Sequence, residues 1–337
     1  MAPMRVLQGT AARACPNAIE AAYDHFRVDR QGNLASVNTL DHYHYLVGPF
    51  FGWLREERPD VERFEDLDVN VVREYRLALA RRISERTGRP LEPATILDAH
   101  RLLITFLRWA DGEEYPVDQR ILRLKAPKVP DKEPTLYHLT QVRKILAACN
   151  ARRPQEELTV RILMGSGVRE SEVCGLAVRG PDGLSDVMLD SLSHGRVELR
   201  VRWDAGAKGK KSRRVPITPK LASAIKRYEG RHRRMSDHPA LIISERGGPY
   251  TRFGIDGMMD RLEAVVGFRV HAHGFRHTFA TVATKLGWNF EHLRAAMGHA
   301  TYAMLQRYVR LAAERDLGPL KQWSEFIVVN PALGFDQ

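Results

Sequence analysis

The sequence predicts a mainly α protein with a small antiparallel β-sheet, divided into two domains. Three observations carry that expectation. Apolar residues recur at helical spacing through most of the chain, while strand-like runs are short and confined to the second half. A segment with three prolines and three lysines in ten residues, 125–134, permits neither helix nor sheet and marks a boundary. At 337 residues the chain has enough material for a core on each side of it.

Bulk composition narrows the function classes. Hydrophobic residues make up 44% and charged residues 28%, as in ordinary globular proteins, and no apolar run approaches the length of a membrane span. The first ten residues lack the sustained apolar segment of a signal peptide. Three scattered cysteines, Cys15, Cys149 and Cys174, do not make a disulfide framework, so a reduced, cytoplasmic protein is expected. The net charge of +11 is local. Residues 200–235 hold 13 basic side chains against two acidic ones, and the remainder balances. Such a patch attracts polyanions through counterion release, although a solvated basic face has the same composition.

Taken in order, residues 1–34 read as a polar extension with a short helix near 18–26. Residues 35–124 read as an all-helical domain. Ser36 or Thr39 opens a helix with Leu40, Tyr43, Leu46, Phe50 and Leu54 on one stripe. Asp68 or Asn70 opens a second, with Val71, Val72, Tyr75, Leu77 and Leu79. Thr95 opens a third, with Leu102, Leu103, Phe106 and Leu107 inward, and a short fourth piece covers 117–122. The aromatic residues of these helices read as core. In the linker 125–134, Lys125 and Lys128 are candidates to cross a nucleic-acid backbone; a plain spacer has the same composition.

Residues 135–319 read as the second domain. Helices are expected at 139–149 and 156–164, then a break at Gly165-Ser166-Gly167. On the helix that follows, Arg169 and Glu172 lie three apart and share a face. Strands at 187–189, 197–203 and 213–217 come next, then a helix at 219–228 and a strand at 241–244. The glycine-rich turn 206–211 superficially suggests a phosphate loop, but Lys211 stands where that pattern requires its second glycine. It reads instead as a hairpin turn presenting Lys208, with Lys210, Lys211, Arg213 and Arg214 in the basic patch around it.

The segment 272–309 concentrates the reactive side chains. Gly287 and Gly298 divide it into three helical pieces. His273 and Arg276 lie three apart on one helical face, His299 follows Gly298, and Tyr308 comes nine residues later. Two imidazoles, a guanidinium and a phenol in a basic region suit attack on a phosphodiester. By spacing alone, Tyr308 reads as core, because Met304, Leu305, Tyr308, Leu311 and Ala312 form a helical stripe. No metal centre is expected. His271, His273 and His277 lack an H-E-x-x-H pattern, a nearby cysteine and a backing carboxylate.

Together these segments resemble the tyrosine recombinases, or phage integrases, including the Xer type, over nearly all of the chain beyond residue 35. G-V-R-E-S-E-V-C-G-L at 167–176 is similar to the family's first-arginine box, and A-K-G-K-K-S-R-R-V-P-I at 207–217 to its β-hairpin. H-G-F-R-H-T-F-A-T at 273–281 resembles its H-x-x-R box, M-G-H-A at 297–300 its second-histidine box, and Q-R-Y-V at 306–309 its nucleophile segment. Two departures are small. Met297 replaces a usual leucine, and Ala303-Met304 replace small hydroxyl residues.

The resemblance implies a two-domain DNA clamp, with a helical core-binding domain and an α+β catalytic domain. It implies an active site of Arg169, Lys208, His273, Arg276, His299 and Tyr308, with Glu172 steadying Arg169. Tyr308 would attack the scissile phosphate to give a 3′-phosphotyrosyl link, with His273 as base, Lys208 protonating the leaving oxygen and His299 bonding the phosphate. No cofactor or metal is implied. The implied partners are double-stranded DNA and copies of the same chain, as a tetramer on two DNA sites that is weaker without DNA. Accessory DNA-bending or directionality proteins are candidates to join them, and no membrane is implied. The first 34 residues are short for an arm-type DNA-binding domain, and the apolar tail, 320–337, either folds back on its own domain or, as the resemblance implies, places Trp323, Phe326 and Ile327 in a neighbouring subunit. Two other readings stay open: DNA relaxation of the type IB topoisomerase kind, and a non-catalytic architectural DNA-binding protein.

Overall fold

The computed structural model of the chain describes residues 18–33, 35, 37–84, 88–130, 132–188, 197–205, 212–298 and 301–329. It is mostly helical with one small antiparallel sheet, the class the sequence predicts. The chain divides into two compact units, Met1–Lys132 and Glu133–Gln337. Among the described residues, no helix is long and apolar enough to cross a membrane.

The first unit contains α1 (Ile19–Gly32), α2 (Val37–Glu57), α3 (Val69–Arg81), α4 (Pro93–Gly112) and α5 (Gln119–Leu122). Local signals set their ends. The Asp68 carboxylate accepts from the backbone N–H groups of Asn70 and Val71 at the start of α3, and Pro93 begins α4 with its φ already fixed. Phe26, Phe50, Leu103, Phe106 and Leu107 meet in an aromatic-rich core. Two sequence expectations change here. Residues 19–32 do not stand outside this unit: Ile19, Ala22, Tyr23 and Phe26 of α1 are buried in its core. Leu77, expected on the inward stripe, is exposed, because α3 buries the face carrying Val71, Val72, Tyr75 and Leu79 instead.

The second unit begins with α6 (Leu139–Ala148), α7 (Pro154–Ser166) and α8 (Glu170–Gly175). The strands β1 (Val187–Met188), β2 (Glu198–Val201) and β3 (Arg213–Pro216) follow, hydrogen-bonded in that order and antiparallel. Leu199 pairs with both Val187 and Val215, so the inward face of the sheet is apolar. Next come α9 (Pro219–Arg231), α10 (Arg252–Val266), α11 (Ala272–Lys285), α12 (Phe290–Met297), α13 (Ala303–Glu314) and α14 (Leu320–Trp323). The expected strand at 241–244 is reduced to isolated bridges, Ala177 with Ala240 and Ile243 with Pro249. Helix α10 is an addition to the elements expected from sequence, although Thr251 caps it and Ile255, Met258, Met259 and Leu262 recur at helical spacing.

Helix α11 is the central strut, packed against α7, α12 and α13 with Phe275, Phe279, Ala280, Val282 and Ala283 fully buried. The tail also joins this core. Trp323, Phe326 and Ile327 are buried in their own unit, and Trp288 Nε1 donates to the Val328 carbonyl at 2.7 Å. In the single chain these large apolar groups bury in the core that lies beside them.

Candidate active site

The first arginine is placed by a turn that only glycine makes easily. Helix α7 ends at Gly167 with φ +61°, and a Cβ there would lie 2.3 Å from the Phe279 ring. Two residues later Arg169 starts α8. Its backbone N–H and Nη1 both donate to Glu172, at 2.7 and 3.0 Å. The Glu172 side chain is wholly shielded from solvent and receives a second guanidinium from β3: Arg213 forks onto its two oxygens at 2.8 and 2.7 Å. Burial raises the carboxyl's pKa, but Arg213 and then Arg169 outweigh it and hold the group below its ordinary range.

The second arginine is placed by the start of α11. His271 caps that helix by accepting from the Gly274 N–H at 3.1 Å, and the Tyr137 hydroxyl accepts from the His271 N–H at 2.9 Å. One turn on, Arg276 is 2% exposed. It donates to the Gly167 carbonyl at 2.6 Å and to the Met297 carbonyl. Burial, and then the charge of Arg169, bring its pKa down to about 9, which leaves it cationic at neutral pH.

A shared feature emerges at the end of α12. Arg213 Nε donates to the Ala296 carbonyl at 2.8 Å, Arg276 to Met297, and Arg169 Nη2 to Gly298 at 3.3 Å. Three guanidiniums from three distant segments therefore close on three successive carbonyls. A helix C-terminus, with its unpaired carbonyls and negative dipole end, is the backbone feature best suited to hold them.

Tyr308 projects from α13 and is 3% exposed. Its hydroxyl lies 3.0 Å from His277 Nδ1. The His277 ring in turn meets the His273 ring edge-on, with centroids 4.3 Å apart. Burial, then His273, depress His277 to about 3. Burial, then Arg276, also lower His273. Both imidazoles are therefore neutral at pH 7. Burial raises the Tyr308 pKa against the opposing charges of Arg276, Arg307 and Arg169, so the phenol keeps its proton until a base removes it. In the sequence, His277 is weighed only as a metal ligand. The signal for its place here is its position four residues after His273 and directly after Arg276.

Arg169, Glu172, His273, Arg276 and Tyr308 are thus gathered around α11 and the end of α12. Lys208, Lys210, Lys211 and His299 lie outside the described residues. Arg213, expected to face DNA, points inward with a side chain 10% exposed, because the buried Glu172 carboxylate captures it. Arg214, the next residue, points outward and lies 3.7 Å from Glu198. Lys125 and Lys128 are exposed in the first unit. Among the described residues no group of three or more His, Cys, Asp or Glu side chains could hold a metal ion. Cys149 and Cys174 are free thiols, each pushed up to about 12 by burial.

The Phage integrase family profile matches residues 137–315, more than half of the chain. Tyrosine recombinase XerA of Thermococcus kodakarensis is 29% identical over 201 residues, 59% of this chain and 66% of that protein. The XerA of Pyrococcus furiosus is 29% identical over 198 residues, 57% of this chain and 63% of that protein, so the chain spans just under two thirds of the length of these relatives. Tyrosine recombinase XerC of Halalkalibacterium halodurans is 25% identical over 293 residues, 83% of this chain and 89% of that one. Among solved structures, the Tn1549 transposon integrase in complex with a circular intermediate DNA has a TM-score of 0.66 at 19% identity, covering 87% of this chain and 95% of that one. A lambda integrase dimer bound to a COC′ core site has a TM-score of 0.64 at 14% identity, covering 90% and 79%. The boxes, the fold and the profile agree: the chain belongs to the phage integrase family.

Proposed function

We propose that the chain is a site-specific DNA recombinase that cuts and rejoins strands through a 3′-phosphotyrosyl intermediate on Tyr308. The observation that carries this reading is the convergence of two guanidiniums, Arg169 and Arg276, on adjacent carbonyls, with a phenol under their field and two neutral imidazoles beside it. In the first step the Tyr308 oxygen bonds to the scissile phosphorus and the bond to the 5′-oxygen breaks. The phenolic proton passes to an imidazole, either His273 or His277. Lys208 supplies a proton to the departing 5′-oxygen, and His299 donates to the phosphate. Arg169 and Arg276 grip the nonbridging oxygens as negative charge redistributes. Religation reverses the step with another strand's 5′-hydroxyl, and no external energy source is needed because the phosphotyrosyl bond conserves the phosphodiester.

The partners in this reading are double-stranded DNA, met by the basic patch with Lys125, Lys128, Lys210, Lys211 and Arg214, and further copies of the chain as a tetramer across two sites. The setting is cytoplasmic, on the nucleoid when DNA is bound. The similarity to recombinases named XerA and XerC supports this reading. A nicked suicide duplex carrying the cognate site tests it. A covalent protein–DNA adduct is expected with the natural chain and not with Tyr308→Phe. Strand exchange between two such sites is expected as well; relaxation of supercoils without exchange would point to the topoisomerase kind of activity. Binding with no adduct would leave only an architectural role.

A further inference from the structure

Arg213 opens β3, five residues after Lys208, and uses its whole guanidinium inside the protein. Nη1 and Nη2 fork onto the two oxygens of Glu172, and Nε reaches the Ala296 carbonyl. Glu172 also receives the backbone N–H and Nη1 of Arg169. One side chain thus ties the strand after the hairpin to the first arginine and to the end of α12, three residues before His299. Gly298 leaves room for it. A Cβ at that position would sit 3.2 Å from the Arg213 guanidinium, and the backbone there is left-handed at φ +61°.

We infer that Arg213 is a positioning residue for strand cleavage, holding Arg169 in register through Glu172 and fixing the α12 terminus that Arg169 and Arg276 also grip. This rests on the recombinase reading and deepens it. The physical reason lies in the geometry of a wholly shielded carboxylate. With two guanidiniums, both Glu172 oxygens accept hydrogen bonds and the group stays ionised. With Arg213 removed, the remaining donors come from Arg169 alone, and the buried carboxylate takes up a proton more readily. A protonated Glu172 becomes a donor and lets go of Arg169 Nη1. Lysine cannot substitute, because a point charge cannot fork onto two oxygens while reaching a carbonyl along a third direction. Swinging the Arg213 side chain out to a phosphate would break all three of these bonds.

The test uses the full chain and the nicked duplex. Arg213→Lys should bind DNA with unchanged affinity and unchanged salt dependence, yet form adduct at least tenfold more slowly at saturating DNA. Arg214→Gln, by contrast, should lower the slope of log K against log salt by roughly 0.9, the value for a single phosphate neutralised. Arg213→Gln should add an acidic limb to the pH profile of adduct formation, because Glu172 then titrates nearer neutrality. That limb should vanish in the Arg213→Gln, Glu172→Gln double variant. Combining Arg213→Lys with Glu172→Gln should cost less than the sum of the two single losses, a coupling that general loss of stability does not produce. Adduct formation by Arg213→Lys at the natural rate, or additive losses in the double variant, overturns the inference while the recombinase reading stands. If the natural chain forms no adduct, the recombinase reading fails first and takes the inference with it. Should Arg213→Lys fold poorly by circular dichroism, Glu172→Gln decides. The inference predicts slow cleavage with normal DNA affinity for it, and natural-rate cleavage refutes the inference.

Discussion

Tyr308 and His277 hold each other in a site that disfavours charge on either one. The phenol is kept protonated and the imidazole neutral by the same cause, burial, and their contact at 3.0 Å satisfies both polar groups away from water. Replacing His277 with Phe removes this contact from the Tyr308 hydroxyl and puts a larger apolar ring in its place, so a destabilisation of about 1–3 kcal/mol is expected by urea unfolding. The pH dependence follows from the depressed His277 pKa. Below its ordinary value of 6.5 the unfolded chain takes up a proton that the folded chain refuses until about pH 3. His277 therefore contributes stability that is complete above 6.5 and is lost as pH falls from there toward 3. Thermal melts between about pH 7.5 and 4 should show that decline, and His277→Phe should make it shallower. Arg169→Lys separates charge from shape. It should bind DNA nearly normally while adduct formation falls on the order of a hundredfold, because lysine lacks the planar set of N–H groups that reaches Glu172 and Gly298 and, in the proposed reaction, grips the phosphate.

At the scale of elements, most helices are readable because their ends and faces are written locally. Asp68, Thr218 and Asn289 cap α3, α9 and α12, and Gly167 and Gly298 end α7 and α12 in the left-handed conformation. What the sequence does not write is direction in space. Arg213 and Arg214 are adjacent cations in a basic run, and nothing in that run says that one faces a buried carboxylate and the other solvent; strand alternation is the available hint. His277 stands in a recognisable box, yet its contact with Tyr308 depends on how α13 packs on α11, a pairing 31 residues apart. The tail is a similar case, since an apolar segment signals burial without naming the surface. Its docking makes a prediction. Trp323→Ala should cost about 3–5 kcal/mol, and truncation after Pro319 more, both read as lowered unfolding midpoints. Normal stability in the truncated chain would mean that α14 and the residues after it contribute little to the core.

For the molecule as a whole, the two-unit organisation and the excess charge are legible in the sequence, and the charge has a measurable consequence. Replacing Lys210, Lys211 and Arg214 together by Gln should flatten the salt dependence of DNA binding by up to about 2.7 in log–log slope, at roughly 0.9 for each phosphate no longer neutralised. An unchanged slope would place the DNA elsewhere. The candidate active site draws Arg169, Glu172, Arg213, Arg276 and Tyr308 from segments spread over most of the second unit, so this arrangement exists only once that unit has folded. The closing of three guanidiniums on carbonyls 296 to 298 gives this a final meaning. Like charges resist being crowded together, and here a helix end supplies the counterweight during folding. In the proposed recombinase an arriving polyanion would thus meet a cradle already assembled, with no need to recruit its cations one by one from water.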